Sequence, residues 1–260
     1  MSRAERFAGI DRLYGRGSVD RLARRHVAVV GLGGVGSWLA EALARSGVGR
    51  ITLIDADDVC VSNCNRQAHA LEGQFGRAKV TVTAERLRAI NPELGVAAIA
   101  EFLTLGNLER LLGGDQDLVV DACDAFRSKV EMIQWCRRRK RALIVCGSAG
   151  GRSDPTKVQV RDLSRTEHDA LLSLIRKKLR SEYGFPRNRD RYFGVPAVFS
   201  LENVRYPQAD GSVCGQRPDG EGGLKLDCGG GLGAAMHVTA AFAMAAAAKA
   251  IEKLLAQPLA

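Results

Sequence analysis

The stretch HVAVVGLGGVGSWLAEALARSG, His26–Gly47, decides the fold. It opens as an apolar, β-branched run suited to a buried strand and turns through GLGGVGS, Gly31–Ser37. An amphipathic helical pattern follows without a break. Strand, glycine turn and helix in that order form the first half of a βαβ unit that binds a nucleotide. Gly31 permits the tight turn, Gly33 lets the backbone approach phosphates, and Gly36 lets the helix close on the strand. The helix N-terminus offers free N–H groups and the positive end of its dipole to an anion, with Gly34 in the same cradle.

Outward from that unit the alternation continues. Strands are expected at Arg50–Asp55, Val96–Ala100, Asp117–Asp121 and Ala142–Cys146. Helical patterns lie at Val35–Ser46, Ala78–Ile90, Gly106–Leu112 and Arg127–Arg139, with Asn91-Pro92 and Gly113-Gly114 as stop signals. KVQVRDL, Lys157–Leu163, alternates like a strand with one wet face, and Ala197–Val204 reads as another strand. The expected fold is α/β, a Rossmann-like, doubly wound, mainly parallel sheet in one domain over 1–260. Within it, 164–231 is a basic, loop-rich insertion, and an Ala-rich helix closes the chain.

Composition sets the limits. Hydrophobic residues at 46% and charged residues at 26% exclude a disordered chain or a fibrous repeat. The 38 Lys+Arg against 29 Asp+Glu leave a net charge of +9, which suits a polyanionic partner without requiring one. Seven cysteines include no C-x-x-C pair, so a structural zinc site is not expected. Free thiols and the lack of a basic-then-apolar leader point to the reducing cytoplasm. LGAAMHVTAAFAMAAAA, Leu232–Ala248, carries no formal charge but is interrupted by His237 and Thr239. It falls short of the about 20 residues a bilayer span needs, so a buried or dimer-face helix is the expectation.

The next segments turn the reading from hydride transfer to phosphate chemistry. Asp55 ends the second strand, where a carboxylate accepts hydrogen bonds from ribose hydroxyls. Asn63, Arg66 and Lys79 follow, and Asp121 and Asp124 stand in DACD at the end of a strand, where open α/β sheets bind ligands. Arg and Lys clamp a triphosphate, and an aspartate holds Mg²⁺ across phosphate oxygens. Singly, Arg66 or Lys79 would be a solvated charge and Asp124 a helix N-cap. An NAD-dependent oxidoreductase and a basic RNA-binding module with a vestigial nucleotide fold remain rival readings of the same residues.

GLGGVGS, Asp55, SNCNRQ, GRAKV and DACD resemble the adenylating domain shared by ubiquitin-activating enzymes and bacterial sulfur-carrier adenylyltransferases. The resemblance implies that Gly31, Gly33, Gly34, Gly36, Asp55, Asp57, Asn63, Arg66, Lys79, Asp121 and Asp124 bind ATP. Asp55 would take the ribose and Asn63, Arg66 and Lys79 the phosphates. Asp124 would hold Mg²⁺ and, with Arg66 and Lys79, act in catalysis. Arg12 in GIDRLYG matches an arginine that reaches the partner's ATP across a homodimer.

RLYG, DADDVCVSNCNRQAHAL, GSAGGRSDPTKVQVRDL and VFSLENVRYPQADGSVC resemble the tRNA threonylcarbamoyladenosine dehydratases of that family over nearly the whole chain. This implies a ligase-type enzyme that cyclises threonylcarbamoyladenosine in tRNA to an oxazolone through a carboxyl-adenylate, releasing AMP and pyrophosphate. The alternative, activation of the C-terminus of a ubiquitin-like sulfur carrier, is weakened by the missing C-x-x-C pairs. The tRNA would lie on the basic insertion, at Lys177, Lys178, Arg180, Arg187, Arg189 and Arg191, with Tyr183, Phe185, Tyr192 and Phe193 interspersed. CRRRKR, Cys136–Arg141, is either a further contact or a solvated helix end. A thiol could carry the acyl group transiently, at Cys228 or less favourably Cys214; the commoner fate of free cysteine is a small buried apolar residue. A monovalent cation in the Gly-rich loops and a docking sulfur-transfer protein are left open.

Overall fold

The computed structural model describes residues 3–188, 190–216 and 232–258. Two helices, α1 (Arg3–Tyr14) and α2 (Ser18–Ala23), precede the first strand, β1 (His26–Val30). Then alternate α3 (Gly36–Arg45), β2 (Arg50–Ile54), α4 (Lys79–Ile90), β3 (Gly95–Ile99), α5 (Leu108–Leu112), β4 (Leu118–Asp121), α6 (Phe126–Arg138) and β5 (Ala142–Cys146). The later elements are β6 (Val158–Asp162), α7 (Ala170–Glu182), β7 (Pro196–Ser200), the short pair β8 (Tyr206–Pro207) and β9 (Val213–Cys214), and α8 (Met236–Ala256).

Seven strands form one sheet in the order β3-β2-β1-β4-β5-β7-β6, parallel except for β6, which runs antiparallel to β7. The strand order reverses at β1, where Val30 is level with Ile54 of β2 on one side and Asp121 of β4 on the other. A crevice opens there, outside the carboxyl ends of the strands.

Period-two alternation splits β1 between two cores. Val27 and Val29 join Leu39, Leu43, Leu87, Phe242 and Ala246 under α3, α4 and α8. Ala28 and Val30 join Leu108, Met132, Ile133, Leu172 and Ile175 under α5, α6 and α7. Each fully buried leucine contributes about 1.5–3 kcal/mol relative to exposure. The small residues Ala243, Ala246, Ala247 and Ala250 pack α8 closely on the sheet and α3, so the uncharged stretch is a core helix. No helix among the described residues is long and apolar enough to cross a membrane.

One expectation is corrected and two regions gain detail. The basic, loop-rich insertion contains one helix, 170–182, capped where the Asp169 carboxylate accepts from Leu172 N at 2.9 Å and anchored by Leu172, Ile175 and Leu179. The strand expected over 197–204 ends at Ser200, because the chain turns there so that Glu202 can accept from the backbone of Ser153 and Asp154. His237, in the first turn of α8, is exposed, and its Nε2 lies 3.1 Å from Ser153 O.

Candidate active site

The carboxyl ends of β1, β2, β4 and β5 open onto a cavity of about 530 Å³. Its glycines act differently. Gly31 has φ +87°, and a Cβ there would lie 2.8 Å from the Cys123 backbone. A Cβ on Gly36 would lie 1.8 Å from Gly31 O, and one on Gly34 would lie 2.9 Å from Thr239 Cγ2. A Cβ on Gly33 would meet nothing within 4 Å, so at Gly33 the missing side chain leaves open space over the turn.

Four carboxylates line the cavity, and three are engaged. Asp55 accepts from Leu32 N at 2.6 Å and from Asp57 N at 2.8 Å, which fixes it beside the turn. Burial raises its pKa above the ordinary value despite those two bonds and nearby Lys79. Asp57 pairs with Lys79 Nζ at 2.8 Å, and Glu101 is held by Arg110 and Asn107. Asp124 alone has no hydrogen bond or ion pair among the described residues. It is not a helix cap either, since the N-cap position of α6 belongs to Ala125.

The phosphate-directed groups converge on the same cavity. Lys79 is buried at the start of α4, with Asp57 its acceptor. Asn63 is buried in a short turn after β2, where its Oδ1 accepts from Cys60 N at 3.0 Å. Arg66 is fixed at its backbone by Trp38 Nε1, 3.0 Å from Arg66 O, while its Nη1 donates to Ser62 O and Asn65 Oδ1. Nε and Nη2 of Arg66 have no acceptor among the described residues.

Two expected residues lie elsewhere. Asp121 is fully buried and does not line the cavity. It pairs with the equally buried Lys129 at 2.8 Å and accepts from Cys123 N at 3.2 Å, so it braces the loop that carries Asp124. Arg12 sits on the exposed side of α1, outside the cavity of its own chain.

The opposite wall was scarcely legible in the sequence. It consists of Gly147–Gly150 after β5, Leu171 at the start of α7, Ser128 of α6, and Leu232, Ala234 and Thr239 around the start of α8. Asp169 holds this wall together: its Oδ2 accepts from Ser148 N at 2.8 Å while its Oδ1 caps α7. Buried Arg152 adds bonds to Ser148 O, Gly150 O and His168 O.

Cys123 and Cys214 are poorly placed as nucleophiles. Cys123 lines the cavity, but burial, with Asp121 second, pushes its pKa far up. Cys214 lies in β9 away from the cavity, and Cys228 lies outside the described residues, as do Arg189 and the Gly-rich 229–231. Among the described residues no group of three or more His, Cys, Asp or Glu is arranged to hold a metal ion. Asp124 nevertheless fits the usual Mg²⁺ arrangement, in which one or two carboxylates share the ion with substrate phosphates.

The basic residues divide. In CRRRKR, Arg139 pairs with Glu109 at 2.6 Å, Arg141 donates to the Gln116 and Gly113 carbonyls, and Arg137 stacks on Phe185 at 4.0 Å. Those charges serve the fold. In the insertion, Lys178 pairs with Glu182 at 2.6 Å, and Arg191 lies outside the basic groove that Lys177, Arg180 and Arg187 line.

Compared with known protein families, residues 7–259 match the ThiF family. The chain is 47% identical over 253 residues to the tRNA threonylcarbamoyladenosine dehydratase of Escherichia coli strain K12, covering 97% of this chain and 94% of that protein. The solved structure of the E. coli tRNA N6-threonylcarbamoyladenosine dehydratase in complex with ATP superposes with a TM-score of 0.86 at 43% identity, over 97% of this chain and 95% of that one. Its complex with AMP gives a TM-score of 0.86 at 44% identity, with the same coverage. With a cavity that pairs a glycine turn with phosphate-directed cations, and with these relatives, the chain belongs to the ThiF family, among its tRNA threonylcarbamoyladenosine dehydratases.

Proposed function

We propose that this chain uses ATP to dehydrate threonylcarbamoyladenosine in tRNA to its cyclic oxazolone form. The observation that carries the reading is the split cavity: one wall offers backbone, Asp55, Asn63, Arg66 and Lys79 to a nucleoside triphosphate, and the other leaves room for an acid to be activated. A carboxylate is inert to ring closure because its oxygen is a poor leaving group. Attack of the threonine carboxylate on the α-phosphorus forms a carboxyl–phosphate bond and breaks the bond to pyrophosphate. The carbamoyl oxygen then attacks the activated carbon, AMP leaves, and the carbamoyl N–H proton is lost. Ring closure within one substrate has a high effective molarity, so no nucleophilic side chain is needed.

The chain's part is to bind and to neutralise charge. Asp55 fixes the ribose, and Lys79, Arg66 and Asn63 stabilise the charge that shifts onto pyrophosphate. Mg²⁺, held by Asp124, would neutralise adjoining phosphate oxygens. Arg12 lies on the exposed side of α1 and does not line the cavity of its own chain; in a homodimer it would complete the partner's site. Leu13 beside it is 71% exposed, in keeping with a covered surface there. The residues 164–231 supply the tRNA contacts.

The test is mass spectrometry of nucleosides after incubating threonylcarbamoyladenosine-bearing tRNA with the protein and ATP, with pyrophosphate measured in parallel. Loss of one water from the modified nucleoside, matched by one pyrophosphate, is expected. Pyrophosphate exchange driven by a ubiquitin-like carrier protein and not by tRNA would overturn the reading.

A further inference from the structure

Helix α7 carries a second concavity on its outer side, about 480 Å³, lined by Ser173, Arg176, Lys177, Arg180, Ser181 and Arg187. Four cations and two hydroxyls share it, and no carboxylate lines it. Arg176 and Arg180 are an i,i+4 pair of like charges, an arrangement that destabilises a helix on its own. Arg180 is fixed rather than solvated: its Nε donates to Pro186 O at 3.2 Å and its guanidinium lies 5.0 Å from the Phe193 ring centroid. Arg176 is held by Thr166 Oγ1. Burial, then the charge of Arg180, lowers the Arg176 pKa, with Asp169 acting the other way. Lys177 and Arg187 have no acidic partner among the described residues. Fixed guanidiniums facing one hollow without a counter-charge make a preorganised anion site.

Its position is set by the same helix. Leu171, in the first turn of α7, lines the nucleotide cavity, and Asp169 bonds that turn to the cavity loop at Ser148. At about 1.5 Å per residue, Lys177 and Arg180 lie about 9–14 Å along the helix axis from Leu171. A stacked strand covers that span with about three or four nucleotides, at about 3.4 Å each.

We propose that this groove binds backbone phosphodiesters of the RNA strand about three or four nucleotides to one side of the nucleoside seated in the cavity. The inference rests on the tRNA reading above and adds to it the site, its register and its chemistry. Helix α7 then acts as a spacer between the gripped phosphates and the reacting base.

The experiment uses the intact protein, a modified anticodon stem-loop, and stem-loops with one neutral methylphosphonate at successive positions. Lys177→Ala/Arg187→Ala removes two exposed side chains that make no hydrogen bond or ion pair among the described residues, so folding should be preserved. The variant should bind the stem-loop about tenfold more weakly, and the slope of log K against log salt should fall by about 1.4, at about 0.7 per lost contact. For the wild type, methylphosphonates three or four nucleotides to one side of the modified base should weaken binding, and in the variant they should cost nothing further. Equal affinity and slope for variant and wild type would overturn the groove while leaving cyclisation intact. A variant that loses affinity for polyglutamate but not for the stem-loop would also overturn it, in favour of an acidic protein segment. A wild type that cyclises no tRNA would instead remove the reading beneath it.

Discussion

Lys129 and Asp121 face each other at 2.8 Å with neither side chain exposing any surface. Burial works against the lysine's charge, but Asp121 and then Cys123 outweigh it and hold the Lys129 pKa above the ordinary value. Asp121 also accepts from Cys123 N, so the pair braces the loop leading to Asp124. Lys129→Met leaves a buried carboxylate without a counter-charge and should destabilise the protein by about 3–5 kcal/mol. Lys129→Met/Asp121→Asn should recover part of that loss. Urea denaturation of wild type, singles and double measures the coupling; additive losses would show that the two groups do not interact.

Asp169 joins the cavity wall to α7 through two different oxygens. Asp169→Asn keeps one carbonyl oxygen, enough to cap the helix, but it cannot also accept from Ser148 N. It also leaves Arg152, 4.0 Å away, without its buried counter-charge. The expected result is a helix that persists and a turnover number for tRNA that falls about tenfold or more, since a displacement of 1 Å near the chemistry costs up to about 10². Affinity for ATP should stay within about twofold of wild type. Steady-state kinetics with tRNA and ATP varied separately, set beside circular dichroism, separates this from general unfolding.

Much of the architecture could be read from the chain because its periods are strong. The strands at His26–Val30 and Ala142–Cys146 agree with the structure to the residue, since both are buried apolar runs between turn signals. Helix α1 has no clear sequence signature, because its apolar residues form no continuous stripe and its backbone is kinked at Phe7, φ −118° and ψ 17°. Helix α7 was hidden by its own charge: Leu172, Ile175 and Leu179 mark a buried stripe, but the basic residues between them dominate a reading by composition. In DACD, two aspartates three residues apart are chemically alike. Only the depth of β4 in the sheet separates buried Asp121 from accessible Asp124. The wall made by Ser148, Leu171 and Thr239 joins residues far apart in sequence, so no local pattern could announce it.

Gly33 and Gly36 should respond oppositely to one added methyl. Gly36→Ala drives a Cβ into Gly31 O and should cost about 3 kcal/mol or more through overpacking. Gly33→Ala meets open space, so thermal stability should change little while ATP affinity falls about tenfold as the phosphates lose their approach to the backbone. Calorimetry for stability and for ATP binding reads both; loss of stability in Gly33→Ala would refute the assignment.

His69 ties stability to pH. Buried and beside Lys79 and Arg86, it is held down to about 4, first by burial and then by those charges, and burial also lowers the pKa of His26. The unfolded chain protonates His69 near 6.5, so between about 6.5 and 4 the unfolded state binds more protons. Stability is therefore full above 6.5 and declines as pH falls toward 4, by up to about 3 kcal/mol for His69. His69→Gln should flatten that part of the stability curve without abolishing it, because His26 acts in the same direction. Denaturation midpoints from pH 4 to pH 8 for both proteins test the sign; a parallel offset with no change in slope would contradict it.

Asp124 is the cavity carboxylate whose removal should harm chemistry without harming the fold. It has no partner among the described residues, so Asp124→Asn deprives no internal donor and the thermal midpoint should stay within about 1 °C. If it holds Mg²⁺ on the phosphates, tRNA-dependent pyrophosphate release should fall about 10²–10³-fold, as expected when a group that stabilises transferring charge is lost. Lys79→Ala should look different, since it frees Asp57 from its ion pair and should weaken ATP binding as well as turnover. Raising Mg²⁺ should partly restore Asp124→Asn, whose defect lies in holding the ion, and should not restore Lys79→Ala. The other three cavity carboxylates are already engaged by Lys79, Arg110 or backbone amides, so a full rate for Asp124→Asn at low Mg²⁺ would overturn a carboxylate-held metal in this cavity.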